Sequence, residues 1–142
     1  MKNYKDILHN LMLIVERENA SDLHLAPGRK PIMRVDGQLI TLENHTVLEK
    51  SDTFGMLKSI VSEEKLSQVT RAEEIDFAYS FKEHLRLRST AYIQSDGINL
   101  TFRVIQAVRE LDTLNLPPIL AEFAEKEQGL FLVVGPVGQG KS

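Results

Sequence analysis

The sequence contains no cysteine among its 142 residues, and it has no long apolar run. Without cysteine the chain can form neither a disulfide framework nor a thiolate metal site. The longest uninterrupted apolar runs, residues 11–15 and 130–134, are five residues each, whereas a membrane-spanning helix needs about 20. The first residues also lack the basic and apolar pattern of a signal peptide. We therefore expect a cytoplasmic protein without a transmembrane segment.

Basic residues are too few for a general nucleic-acid-binding protein. The chain has 17 Lys and Arg against 20 Asp and Glu, a net charge of −3, whereas binding to a phosphate backbone needs many exposed cations. Apolar residues make up 42% of the chain and charged residues 26%, values typical of a globular domain. We therefore expect a globular protein that has no nucleic-acid partner.

The apolar spacing predicts an α/β (α+β) fold for most of the chain. Apolar residues recur every three or four positions in residues 7–15 and 48–61, which predicts two helices. Ser62 is a candidate N-cap for a third helix ending near Thr70. Asp36-Gly37 lies between apolar segments and predicts a tight hairpin. Alternating apolar and polar residues predict strands at 22–25, 31–35, 38–42, 75–82, 85–93 and 98–104, the last three consecutive and antiparallel.

The composition of the sequence changes after the last of these predicted strands. Residues 108–116 have the polar, broken composition of a linker. Pro117-Pro118 is predicted to open a short helix that runs to about Glu127, because proline is tolerated in a first helical turn. The continuous apolar run Leu130–Val134 predicts a strand buried on both faces, as in a parallel sheet.

The last eight residues satisfy the pattern G-x-x-x-x-G-K-[ST], the phosphate-binding P-loop. Its glycines would let successive backbone N–H groups point at phosphate oxygens. Lys141 would place a charge at the β- and γ-phosphates of ATP, and the Ser142 hydroxyl would bind the Mg²⁺ of MgATP. A chance glycine turn is the alternative, which the preceding apolar run and the Lys-Ser pair disfavour. The predicted phosphate-binding residues are Gly135, Pro136, Val137, Gly138, Gln139, Gly140, Lys141 and Ser142.

Several motifs, in matching order and spacing, resemble those of one family. They are Ala20-Ser21-Asp22-Leu23-His24-Leu25 (A-S-D-L-H-L), Pro31–Gly37 (P-x-x-R-x-D-G), Glu74–Tyr79 (E-x-D-F-S-F), Arg86-Leu87-Arg88 (R-F-R), Phe102-Arg103 (F-R) and Leu116-Pro117. On these motifs the chain resembles the N-terminal part of PilT-type pilus retraction ATPases, within the type II/type IV secretion ATPase superfamily. Val137 and Gln139 replace the common Thr and Ser of the P-loop, and Ser89-Thr90 replaces the usual Val-Asn.

The resemblance implies a domain organisation. Residues 1–107 would form a PAS-like N-terminal domain with an antiparallel sheet and flanking helices. Residues 108–116 would be a linker, and residues 117–142 would supply the first helix and strand of a RecA-like ATPase core. Because the Walker B segment and the later motifs are absent, we expect these 142 residues to be inactive by themselves.

The resemblance also implies a function and a site. The parent would be a homohexameric motor that hydrolyses ATP to retract type IV pili, which drives twitching motility. It would act peripherally at the inner membrane on a pilus platform protein. By motif position, Arg88 and Arg103 would contact the ATP phosphates, and the protein itself would supply no metal site.

Other interpretations remain open at this point. The chain could be a non-enzymatic oligomerisation or partner-binding module, or part of a pilus assembly or type II secretion ATPase. Arg88 and Arg103 could simply form exposed ion pairs on a solvated face. Asp22 could be a turn or helix-end residue or belong to a ring interface, and Arg34 could be structural or lie at a subunit contact.

Overall fold

The computed structural model describes residues 2–105 and 110–136 of the chain. The chain divides into two units, residues 1–106 and residues 107–142. In the described part, no helix is both long enough and apolar enough to cross a bilayer. The predictions for Val137–Ser142 of the P-loop lie outside the described residues.

The first unit combines helices with one antiparallel sheet, which confirms the predicted α+β class. The sheet has six strands in the order β3-β2-β1-β6-β5-β4. The elements, in chain order, are α1 (Tyr4–Arg17), β1 (Asp22–Leu25), β2 (Ile32–Val35), β3 (Gln38–Thr41), α2 (Lys50–Lys58), α3 (Glu63–Thr70), β4 (Ile75–Phe81), β5 (Leu85–Gln94) and β6 (Gly97–Ile105).

One face of this sheet forms the hydrophobic core with the three helices. Leu11 from α1, Leu57 from α2 and Phe102 from β6 are each fully buried there. Burying side chains of this size contributes about 1.5–3 kcal/mol each. Because strand side chains alternate, the residues between the buried ones point to the other face. We call that side the arginine face, after Arg34, Arg88 and Arg103.

The predicted hairpin and third helix are confirmed. Asp36 and Gly37 connect β2 to β3, and both have positive φ, +48° and +79°. Positive φ at both central positions is the requirement of a type I′ turn. The Ser62 side chain caps α3 by accepting a hydrogen bond from the backbone N–H of Lys65.

Helix α2 is shorter than the spacing predicted. It begins at Lys50 because the Asp52 carboxylate accepts a hydrogen bond from the backbone N–H of Glu49, at 2.9 Å. The helix ends at Lys58, and the hydroxyl of the following Ser59 donates a hydrogen bond to the Met56 carbonyl. These local hydrogen bonds set both ends, so the apolar positions beyond them lie outside the helix.

The second unit departs further from the predictions. Helix α4 covers Ile119–Ala124 and stops short of Glu127. A 3-10 helix, Leu111–Leu114, lies in the segment predicted as a linker. The predicted buried strand Leu130–Val134 is wrong for this structure, since these residues form no strand and are 53–85% exposed. A strand needs a neighbour for its backbone hydrogen bonds, and the described six-stranded sheet does not include this run.

Ser89 is a polar residue that lies in the hydrophobic core. It lies on β5 opposite Phe77 and Phe102, is fully buried, and its hydroxyl has no hydrogen-bond partner among the described residues. A buried unsatisfied hydroxyl costs about 1–3 kcal/mol. We therefore expect Ser89→Ala to raise the free energy of unfolding by about 1 kcal/mol, measured by urea unfolding.

The neighbouring Thr90 provides the control for this prediction. Its hydroxyl donates to Asp76 at 2.6 Å on the arginine face. Thr90→Ala removes a satisfied hydrogen bond and should lower the stability. A loss of stability in Ser89→Ala as well would show that the Ser89 hydroxyl is in fact satisfied.

Candidate functional site

A single row of facing residues crosses the whole sheet on the arginine face. The three arginines stand on β2, β6 and β5, with one carboxylate between the first two. Three positive charges thus face one negative charge, which makes the row attractive to an anion. From one edge of the sheet to the other, the row consists of Leu39, Arg34, Asp22, Arg103, Arg88 and Ala78.

Asp22 is the buried centre of this row. It is 4% exposed, and its Oδ1 accepts a hydrogen bond from Arg103 Nε at 2.9 Å. Its Oδ2 accepts one from the Ser21 hydroxyl at 2.8 Å, and Arg34 Nε lies 3.5 Å away. Burial raises the pKa of Asp22, but the bonds from Arg103 and Ser21 outweigh it and leave the pKa below the ordinary 3.8. The carboxylate is therefore charged at neutral pH.

Arg103 is held at one end and exposed at the other. Its side chain is 71% exposed, and within the described part of the chain it is bonded through Nε. A guanidinium carries five N–H groups in a planar fork. The two terminal amino groups of Arg103 can therefore bind a carboxylate or phosphate in a bidentate manner.

Arg88 is the less constrained of the two predicted phosphate-contacting arginines. Its Nη2 donates to Asp76 Oδ2 at 3.2 Å, and the two side chains are 71% and 53% exposed. The bond from Thr90, and then that from Arg88, lowers the pKa of Asp76. Exposed ion pairs contribute little to stability, so Arg88 can leave Asp76 for another anion at small cost.

The structure brings Arg88 and Arg103 together as directly facing residues of β5 and β6. It also corrects the interpretation of Asp22 as a turn or helix-end residue, because Asp22 is the first residue of β1 and is buried. Arg34 makes a contact that fits the structural alternative, since its Nη1 donates to the Gly37 carbonyl at 2.8 Å.

His24 of the A-S-D-L-H-L motif and the first two residues of the P-loop are also described. His24 lies one row along β1, with Nδ1 3.4 Å from the Thr101 hydroxyl, and burial lowers the pKa of its imidazole. The neutral imidazole therefore predominates at pH 7. Of the P-loop, Gly135 and Pro136 are described, and they lie outside any helix or strand.

The pairing of Asp22 with Arg103 was not predicted from the sequence. Asp22 and Arg103 are 81 positions apart, and only the contact between β1 and β6 makes them neighbours. One signal was available: Asp22 alternates with Leu23 and therefore points away from the core. An acidic residue on a face that carries arginines is a candidate partner for them.

Asp22 should make the domain sensitive to acid. Its pKa is lower in the folded protein than the ordinary 3.8, so its stabilising effect is fully present above that pH and is lost as the pH falls through and below it. The carboxylates of Asp52 and Asp76, whose pKa values are also lowered, act in the same direction. We expect the free energy of unfolding to decline below about pH 6.5, where the lowered pKa of His24 favours its protonation in the unfolded chain, and to fall further below about pH 4 as these carboxylates are protonated.

Urea unfolding at a series of pH values checks this prediction. Asp22→Asn should be less stable than the wild type at pH 7, and it should lose less stability than the wild type on acidification. Asp36→Asn, in the exposed hairpin turn, is the matched control and should follow the wild-type pH dependence. An Asp22→Asn variant with the full wild-type acid sensitivity would contradict the assignment.

Comparisons with known proteins show what this chain is similar to. No protein-family model matches the chain. It is 30% identical to the type IV pilus retraction ATPase PilT of Pseudomonas aeruginosa over 93% of the chain, and 31% identical to the type IV pilus ATPase PilU of the same organism, also over 93%. These matches cover 38% and 34% of the two relatives.

A solved structure gives the same result for the fold. The crystal structure of the pilus retraction motor PilT with bound ADP matches 99% of this chain, with a TM-score of 0.78 and 25% identity. The match covers 40% of that chain. The chain thus spans between a third and two fifths of the length of these proteins, and the resemblance inferred from the motifs is confirmed.

Proposed function

We propose that this chain, whose sequence and fold match the N-terminal part of PilT-type pilus ATPases, is the front portion of a motor that powers type IV pilus retraction by ATP hydrolysis. Residues 1–107 would be its PAS-like domain, residues 108–116 its linker and residues 117–142 the start of its RecA-like core. The chemistry would be phosphoryl transfer to water.

The row of arginines is the observation that carries this proposal. Arg88 and Arg103 face each other, and both side chains are 71% exposed. Among the described residues, the Asp22 carboxylate binds Arg103 through Nε and leaves its two terminal amino groups unbonded. An exposed pair of guanidinium groups suits a polyphosphate, because each can donate two parallel hydrogen bonds to phosphate oxygens.

The residues of this chain would divide the work of phosphoryl transfer. Lys141 and the backbone N–H groups of the P-loop would bind the β- and γ-phosphates, and Ser142 would bind the Mg²⁺ of MgATP. Arg88 and Arg103 would stabilise the negative charge on the γ-phosphoryl oxygens while water attacks phosphorus and the bond to ADP breaks. We expect the residue that activates this water to come from sequence beyond these 142 residues.

The proposed context follows from the same family. Six subunits would form a homohexameric ring in the cytoplasm, peripheral to the inner membrane, and the ring would act on the pilus platform protein. Pilus retraction of this kind drives twitching motility.

The intact mass of the natural product and its ATP turnover test the proposal. We expect a mass well above the 16.1 kDa of this chain and Mg²⁺-dependent release of phosphate from ATP by the purified product. A natural product of 16.1 kDa that does not hydrolyse ATP would refute the motor function and favour the partner-binding module.

A further inference from the structure

We infer that Asp22 is a positioning residue, which holds the Arg103 guanidinium so that its terminal amino groups are presented to phosphate. This inference rests on the proposed function, because it assumes that Arg103 contacts the phosphates. It assigns a role to a buried carboxylate that itself would touch neither ATP nor Mg²⁺.

The geometry of the contact distinguishes positioning from competition. Asp22 binds Arg103 through Nε, at 2.9 Å, and not through the two terminal nitrogens that would bind a phosphate in a bidentate manner. A carboxylate that competed with phosphate would occupy that terminal edge. The Nε contact instead leaves the edge available and fixes the direction in which it points.

Asp22 is itself firmly placed. It is 4% exposed, and its Oδ2 accepts a hydrogen bond from the Ser21 hydroxyl at 2.8 Å. In the sheet it pairs with Arg34 of β2 on one side and with Arg103 of β6 on the other. An arginine on a strand surface has several free torsions, and ordering them on binding reduces affinity. A fixed carboxylate beside Nε orders the side chain before the phosphate arrives.

Positioning and simple electrostatics predict opposite results for one substitution. Asp22→Asn removes a negative charge beside the arginine row, so Coulomb attraction alone would strengthen the binding of a polyanion. If Asp22 positions Arg103, the same substitution weakens binding despite the more favourable charge. Asp36→Asn removes a negative charge from the exposed turn between β2 and β3 and calibrates the electrostatic effect, since asparagine tolerates positive φ.

The test is titration of the full 142-residue chain with inorganic tripolyphosphate, followed by NMR of the arginine Nε–Hε signals. We expect tripolyphosphate to shift the Arg103 signal in the wild type. Asp22→Asn should bind about two- to tenfold more weakly, while Asp36→Asn should bind as tightly as the wild type or slightly more tightly. Thermal unfolding of each variant confirms that it is folded.

A second measurement needs no variant. In the wild type, the hydrogen bond from Arg103 Nε to Asp22 should persist in the tripolyphosphate complex, seen as slow exchange of the Hε proton. Rapid Hε exchange in the complex, or tighter binding by Asp22→Asn than by Asp36→Asn, would show that Asp22 competes with phosphate and would overturn the inference.

The remaining outcomes separate this inference from the proposed function. If the wild type binds tripolyphosphate at Arg103 and Asp22→Asn binds equally well, only the positioning role is wrong. If tripolyphosphate leaves the Arg103 signal of the wild type unchanged, the phosphate-contacting role of Arg103 is wrong, and the positioning role with it.

Discussion

Replacing Arg103 by alanine in the complete motor is expected to lower kcat for ATP hydrolysis by about 10³-fold or more, with a much smaller change in KM. The reason is that charge on the γ-phosphoryl oxygens grows in the transition state, so an arginine aimed at them stabilises that state more than the bound substrate. A guanidinium with exposed terminal amino groups, held at Nε by a buried carboxylate, is suited to this role.

Two variants control for charge and for folding. Arg86 lies on β5 two residues before Arg88, on the same face, and it is outside the proposed site. Arg86→Ala should therefore keep kcat within about twofold of the wild type, as expected for a surface substitution. Arg103→Lys keeps the charge but lacks the planar fork, and it should recover only part of the rate.

The measurement is steady-state ATP hydrolysis with MgATP varied across KM. A loss confined to KM would identify Arg103 as a residue that binds substrate and transition state equally. An unchanged kcat would remove Arg103 from the mechanism. Because Arg103→Ala leaves Asp22 without its closest cation, the variant must also be shown to be folded.

Gly55→Ala is the second substitution with a large expected effect, this time on stability. In an isolated helix, alanine in place of glycine is favourable by about 1 kcal/mol. Here a Cβ at Gly55 would overlap the Tyr4 ring, since α1 and α2 approach each other closely at this point. We expect a net destabilisation of about 1–3 kcal/mol, as for other substitutions that overpack a well-fitted contact.

A double-mutant cycle with Tyr4→Ala isolates this contact. Removing the ring makes space for the added methyl group, so Gly55→Ala should be neutral or stabilising in the Tyr4→Ala background. Urea unfolding of the four proteins gives the coupling free energy between the two positions. Destabilisation of equal size in both backgrounds would mean that the helix backbone, and not the Tyr4 ring, requires glycine.

Local sequence patterns were sufficient for much of the fold. The alternation in residues 75–82 and 85–93 predicted β4 and β5, and Asp36-Gly37 predicted the hairpin. These features succeed because strand periodicity and turn conformation depend on residues close together in the chain. The strand predicted at Leu130–Val134 failed because a strand also needs a partner, which an apolar run does not reveal.

The candidate site was only partly visible in the sequence. The motifs identified Arg88 and Arg103, and their alternation with Leu87 and Phe102 placed both on the polar side of their strands. The partner of each arginine was not visible, because it depends on strand order. Similarly, nothing near Gly55 in the sequence shows that the ring of Tyr4 will lie against it.

The sequence by itself therefore determined which segments form helices and strands, which side chains alternate to the polar face and where a phosphate-binding motif stands. Tertiary structure alone decided that β1 lies between β2 and β6, which places Asp22 between Arg34 and Arg103. The physical reason is that periodicity is a local property of the backbone, whereas strand order is set by packing the whole core at once. The charge arrangement of the candidate site is a consequence of that packing.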